Sequence, residues 1–302
     1  MLDQFPPYFG VRFVQPVHQD VPAALEPASQ TLPQPFVACI TGASRGIGRA
    51  TAEAFAKAGA TGLVLTARKA IDLEDTKKAC LASAKSAHLK VSIISADAGS
   101  EGAAKLIFDT VKGDHGRLDI LINNAGLVST DASAFGAFDT IRPDQIRITA
   151  DVNYIGRFLT MQTLLPVLLE SPAGAKTIVN VTSIASHLVG RGSLGFNISE
   201  LASNRLTESV ATEYADRGVL CYSVHPGHIS PTADAPPGMD PALAFGGKDA
   251  LDLCGAFCLW LVQKKPEWLS GRYLSANWDV VELDKKREDI VQGDKLKARM
   301  AV

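Results

Sequence analysis

The chain has 302 residues, a formal net charge of −2, 46% hydrophobic residues and 21% charged residues. This is the balance of a folded globular protein, long enough to bury a large core as one α/β domain or two smaller ones. The near-neutral charge gives no electrostatic footprint for nucleic acid, and no apolar run reaches the roughly 18 residues that would suggest a membrane span. Five cysteines (Cys39, Cys80, Cys221, Cys254 and Cys258) are scattered, without a C-x-x-C pair. They read as reduced core residues of a cytoplasmic protein. The N-terminus carries Asp3, Pro6 and Pro7 and lacks the basic and then apolar order of a secretory signal. A small-molecule substrate is the expected partner, with no nucleic acid and no membrane.

Seven of the 16 prolines fall in residues 1–35. Proline fixes φ and removes a donor, so this stretch reads as an extended arm. Its aromatics (Phe5, Tyr8, Phe9 and Phe13) have the means to lie on the body, but a loosely docked tail is the simpler expectation. From Phe36 the pattern alternates. Apolar runs at 36–40, 61–66, 89–95, 118–124, 177–182, 219–224 and 272–275 read as strands. Segments 46–59, 70–87, 100–112, 151–170, 196–216 and about 248–263 read as helices. Strands alternating with helices of this length imply a doubly wound parallel sheet of Rossmann type, three layers in a single domain over 36–280. The charged tail 281–302 has some helical spacing (Val281, Leu283, Ile290, Val291 and Leu296) and reads as a solvated terminal helix.

The first strand runs into Thr41-Gly42-Ala43-Ser44-Arg45-Gly46-Ile47-Gly48 and then a helix. Glycines at this place permit a tight turn and a close approach of backbone to a pyrophosphate, which sits at the helix N-terminus. The turn, T-G-x-x-x-G-x-G, together with Asn123-Asn124-Ala125-Gly126 at the end of the fourth strand, is similar to the short-chain dehydrogenase/reductase family. The resemblance covers about residues 36–280. It implies a nicotinamide dinucleotide held by Thr41, Gly42, Ser44, Arg45, Gly46, Ile47 and Gly48 in the first turn. It also implies Asn124, Ala125 and Gly126 beside that turn, Asp97 against the adenine, and Pro226, Gly227 and Ile229 after the sixth strand. The second strand ends in Arg68 with no acid nearby. A carboxylate there would repel a 2′-phosphate, whereas Arg68, helped by Arg45, would attract one, so NADP(H) is expected over NAD(H).

In the family pattern a serine orients the substrate, a tyrosine protonates it and a lysine one helical turn later supports the tyrosine. Ser183 stands at the serine position. Thirteen residues on, the tyrosine position holds Phe196, and four further the lysine position holds Glu200. Asn153 matches the asparagine that holds a relay water. No other tyrosine restores the pair: Tyr154 is followed four residues later by Phe158, Tyr214 by Gly218 and Tyr222 by Pro226. Phe196 has no proton to give, and loss of a general acid costs about 10²–10⁴-fold in rate. Glu200 is expected to be an unorthodox acid or a charge partner.

Three functions follow. The first is hydride transfer to a small, fairly apolar ketone or iminium, in specialised metabolism by analogy with the family, with the proton from Glu200, His187, His228, Tyr154 or water. The second is non-redox chemistry (isomerisation, elimination or cyclisation) in the same pocket, and the third is cofactor binding without catalysis. His187 is a candidate substrate contact in the loop over the pocket. His225 reads as a packing residue, His228 as a backbone contact to the cofactor, and Asp151 as a helix cap. No cluster has metal-ligand spacing. Segment Ser230–Gly247, with Met239, Leu243 and Phe245, is the expected substrate lid. The resemblance further implies a homodimer or homotetramer paired through helices 151–170 and 196–216.

Overall fold

The computed structural model describes residues 9–190, 192–229 and 247–300. The expected lid, apart from Gly247, lies outside the described residues. Seven strands form one sheet: β1 (Val37–Ile40), β2 (Gly62–Ala67), β3 (Lys90–Ser95), β4 (Ile120–Asn123), β5 (Thr177–Val181), β6 (Leu220–His225) and β7 (Tyr273–Ser275). Their order is β3-β2-β1-β4-β5-β6-β7, and every pair is parallel. The order reverses between β1 and β4, and in such sheets the ligand crevice opens at that point, outside the carboxyl ends of the strands.

The strands are apolar runs because both faces are covered. Ala38 and Ile40 of β1 face one core, with Phe55 of α1 (Gly46–Lys57) and Phe257 of α7 (Leu253–Lys264). Val37 and Cys39 face the other core, with Ile107 of α3 (Glu101–Thr110) and Leu164 and Leu168 of α5 (Gly156–Glu170). The second core also takes Ala211 of α6 (Leu194–Glu213). Helix α2 (Glu74–Ser83) packs on α1 and β3 and buries Cys80 in the first core. All five cysteines are free and buried. No helix among the described residues is long and apolar enough to cross a membrane.

Five expectations change. Helix α5 is preceded by α4 (Pro143–Ala150), joined through one widened π-type turn at Asp151–Ile155, so the helical run begins eight residues before position 151. Pro143 at its first position explains the start: its missing N–H is one that a helix leaves unpaired there anyway. Asp151 is therefore an exposed residue inside the run and caps nothing. The last long helix begins at Leu253 rather than 248, because Ala250 N donates to Gln19 O at 2.7 Å and the chain before it follows the arm.

The arm is not a loosely docked tail over residues 9–35. Val14, Leu25 and Leu32 are fully buried in the first core, and Phe13 packs on Trp278 with ring centroids 5.7 Å apart. Backbone bonds tie Leu32 to Ala58 and His18 to Asn277. The C-terminal tail forms two short helices, α8 (Val280–Lys285) and α9 (Arg287–Gln292), rather than one solvated helix. They bury Leu283 and Ile290.

Candidate active site

The turn after β1 is stitched to the end of β4. Thr41 Oγ1 accepts from Asn124 N at 3.0 Å and Ala125 N at 2.9 Å. Asn124 Nδ2 donates back to Thr41 O at 2.9 Å and Gly42 O at 3.0 Å. A Cβ at Gly48 would lie 2.3 Å from Gly42 O, and one at Gly42 would lie 2.9 Å from Ala125 Cα. Gly42 also has φ +66, a conformation glycine adopts without steric cost. Helix α1 starts with no side-chain cap and no acid in its first turn. Its leading amides and dipole are thus open to an anion. The residues present fit a dinucleotide pyrophosphate.

Around this cradle, Arg45 and Arg68 are exposed and enter no ion pair among the described residues. The Arg68 carbonyl accepts Ser95 Oγ at 2.9 Å, which fixes the backbone at the end of β2. Asp97 is exposed and closes a turn by accepting Gly99 N at 3.1 Å. Pro226 and Gly227 are buried at the end of β6, and Ile229 forms an antiparallel bridge with Lys248.

Further along the crevice, α5 and α6 face each other across a buried polar seam. The widened turn projects Asn153 inward: its Oδ1 accepts Leu127 N at 2.7 Å, and its Nδ2 donates to Leu127 O at 2.9 Å and Ser199 Oγ at 3.1 Å. Ser183, half-buried after β5, accepts Ala185 N at 3.1 Å. That leaves its hydroxyl proton for an outside acceptor. Phe196 is half-buried on α6, and its carbonyl accepts Ser199 Oγ.

Glu200, one turn later, is 1% exposed and forms a bidentate pair with Arg157, which is 3% exposed. Arg157 Nη1 donates to Glu200 Oε2 at 3.0 Å and Nη2 to Oε1 at 3.1 Å. The same guanidinium donates to Val181 O at 2.8 Å and Ser203 Oγ at 2.9 Å, so it ties α5, α6 and β5 together. Burial pushes the Glu200 carboxyl above its ordinary range, against the pull of the Arg157 charge. Arginine keeps its proton, and both carboxylate oxygens accept from it, so the pair is ionic. Arg157 Nε and Thr182 Oγ1, just past the end of β5, are buried without a partner among the described residues.

Three histidines line the end of β6 and the turns beside it. His225 Nδ1 accepts Ile184 N at 3.3 Å, and burial drives its pKa down to about 3, so it is neutral. The His187 ring meets Tyr273 edge-on at 4.6 Å, and burial lowers its pKa. His228 N donates to Asp249 Oδ2 at 2.6 Å.

The sequence model of the family "short chain dehydrogenase" matches residues 36–237. This chain belongs to the short-chain dehydrogenase/reductase family. Among its relatives, "Short chain dehydrogenase pgmD" of Aspergillus terreus is 38% identical, over 100% of this chain and 98% of that protein. "Short chain dehydrogenase mpl6" of Monascus purpureus is 39% identical over 99% of each. A putative short-chain alcohol dehydrogenase from Sinorhizobium meliloti 1021 superposes with a TM-score of 0.68 at 23% identity, over 82% of this chain and 96% of that one, which shows the shared fold. Family membership makes the protein an oxidoreductase of this type, and members generally bind a nicotinamide dinucleotide.

Arg157 is the site residue that the sequence reading missed. Its partner lies 43 positions away, beyond any local pattern. The available signal was a lone arginine one helical turn after Asn153, within a mostly apolar helix.

Proposed function

We propose that the protein is an NADP(H)-dependent oxidoreductase that transfers hydride to a small, fairly apolar ketone or iminium, through a proton relay that uses neither Phe196 nor Glu200. The observation that carries this reading is the Arg157–Glu200 pair. Both Glu200 oxygens are held by the guanidinium in a buried position beside a phenylalanine. Neither position has a proton to hand to substrate oxygen.

Arg45 and Arg68 would bind the 2′-phosphate, and the α1 amides the pyrophosphate. Bound NADPH supplies the hydride. Ser183 would donate a hydrogen bond to a ketone oxygen or accept one from an iminium N–H, and so set the substrate's orientation. Phe196 gives that pocket an apolar wall. Asn153 fixes the loop after β4, and one Oδ1 lone pair stays available to a relay water. An iminium fits this equipment better than a ketone, because it accepts hydride without needing a proton on oxygen. Ile155 and Phe158, at the start of α5, and Ile198 and Leu201 of α6 are exposed apolar side chains, which supports pairing of two copies through these helices.

The test is NADPH consumption against a panel of ketones and cyclic iminium ions. Turnover of the iminium ions with slow or absent turnover of ketones is expected. Ketone reduction at rates typical of a tyrosine-dependent enzyme contradicts the proposed relay. Transformation of a substrate without NADPH consumption assigns the pocket to non-redox chemistry instead.

A further inference from the structure

We infer that Asp249 and Asn277 are positioning residues that clasp the turn after β6 to the N-terminal arm and set its approach to the nicotinamide end of the cofactor. This rests on the reading of Pro226, Gly227 and Ile229 as cofactor-binding.

The clasp is a closed circuit of short hydrogen bonds. Asp249 Oδ2 accepts His228 N at 2.6 Å and Asn277 Nδ2 at 2.7 Å. The other Nδ2 proton of Asn277 goes to His18 O at 2.8 Å, and His18 N returns to Asn277 O at 2.7 Å. Asn277 Oδ1 accepts Ser275 Oγ at 3.1 Å. The amide is buried, with both protons and its oxygen engaged. The arm is held on each side of this point. Ala250 N donates to Gln19 O, Val17 bridges Trp278, and His18 Nε2 lies 2.9 Å from Asp279 Oδ2.

The circuit bears directly on the turn. Gly227 has φ +107, and a Cβ there would sit 3.0 Å from Asp249 Oδ2, so the carboxylate packs on the open face of that glycine. Asp249 N also donates to His228 O at 3.2 Å, which pairs the two backbones. His228 is thereby held by its N–H and its carbonyl at once, and Ile229 follows it in a bridge with Lys248. A carboxylate that accepts two N–H donors at these distances makes charge-assisted bonds, about twice as strong as neutral ones. Apart from the turn itself, every residue of the clasp lies outside positions 36–237, which the family pattern matches. The arm is thus tied to the cofactor side of the fold.

The adenosine end is served by different residues (Arg45, Arg68 and Asp97), and this separation gives the test. Full-length wild type, Asp249→Ala, Asp249→Asn and Asn277→Ala are titrated with NADPH and, separately, with 2′,5′-ADP, which lacks the nicotinamide half. Asp249→Ala is expected to weaken NADPH about tenfold, as loss of a charged hydrogen bond to a buried turn implies, while 2′,5′-ADP stays within about twofold. Asp249→Asn keeps an acceptor for His228 N and is expected to recover most of the NADPH affinity. Asn277→Ala removes the side-chain link between Asp249 and His18 O but leaves the backbone bonds to the arm and the Asp249–His228 bond, and an effect between these two is expected. Equal weakening of NADPH and 2′,5′-ADP reports general loosening and overturns the clasp. Unchanged NADPH binding in Asp249→Ala and Asn277→Ala overturns it as well. Failure of wild type to bind either probe overturns the cofactor reading and the clasp with it.

Discussion

Two stretches of one crevice are built by different physics. At the end of β1, the turn Thr41–Gly48 is a backbone device: one threonine hydroxyl, one asparagine amide and glycines that tolerate no Cβ hold a loop against β4. Between α5 and α6, the seam is a side-chain device, in which one buried guanidinium holds a carboxylate, a hydroxyl and a strand carbonyl. The first agrees with the family pattern at every matched position. We propose that the second departs from it at Phe196 and Glu200, with Arg157 balancing the Glu200 charge. A backbone cradle depends on residues adjacent in sequence. A charge at the seam can move to the facing helix if its partner moves too. For this reason the lysine position alone does not describe the site's electrostatics.

Glu200→Lys should produce the largest effect. It would place an ammonium against the buried Arg157 guanidinium and leave two unpaired cations, at a cost of about 3–5 kcal/mol. Urea unfolding should show the loss, and adding Arg157→Leu to Glu200→Lys should recover part of it. The pair Phe196→Tyr plus Glu200→Lys is accordingly expected to fail as a restoration of ketone reduction unless Arg157 is replaced too. Unchanged stability in Glu200→Lys would mean that the two side chains do not share a buried site.

Gly48→Ala breaks the other side of the comparison. Its Cβ would collide with the Gly42 carbonyl, and overpacking of this kind costs about 1–3 kcal/mol. The expected result is a roughly ten- to hundredfold loss of NADPH affinity, with the α5–α6 seam, and so the response to Glu200→Lys, unaffected.

A smaller effect distinguishes the histidines. His225 is held near pKa 3 in the folded chain, below the ordinary 6.5. As pH falls from 6.5 toward 3, the unfolded chain takes up a proton that the folded one refuses. Stability from this group is complete above about pH 6.5 and is lost as acid is added through that window. His225→Asn should flatten the fall in unfolding free energy between those values. An unaltered slope would place the acid sensitivity elsewhere, at His187 for example.

The sheet was legible because a parallel sheet buried on both faces writes its strands as short apolar runs, and the observed strands lie within two residues of the expected ones. The glycine cradle was legible because its residues are adjacent. Helix α4 was not, since Pro143-Asp144-Gln145 reads as a loop unless the proline is taken as a first helical residue. The arm misled because proline content reports extension but says nothing of docking. Val14, Leu25 and Leu32 follow no helix or strand period, and only the folded body supplies their burial. Arg157 and the Asp249–Asn277–His18 circuit were hidden for one reason. Their partners are 21 to 259 positions apart, and no periodicity connects them.

The central claim is that an intact NADP(H) cradle coexists with a rewired seam, and equilibrium titration of the purified protein with NADPH and with NADH tests it most directly. Saturable binding is predicted, with NADPH about tenfold tighter and Arg68→Ala erasing the difference, as one charged phosphate contact implies. Equal affinities in wild type, or no saturable binding of either nucleotide, would contradict the account.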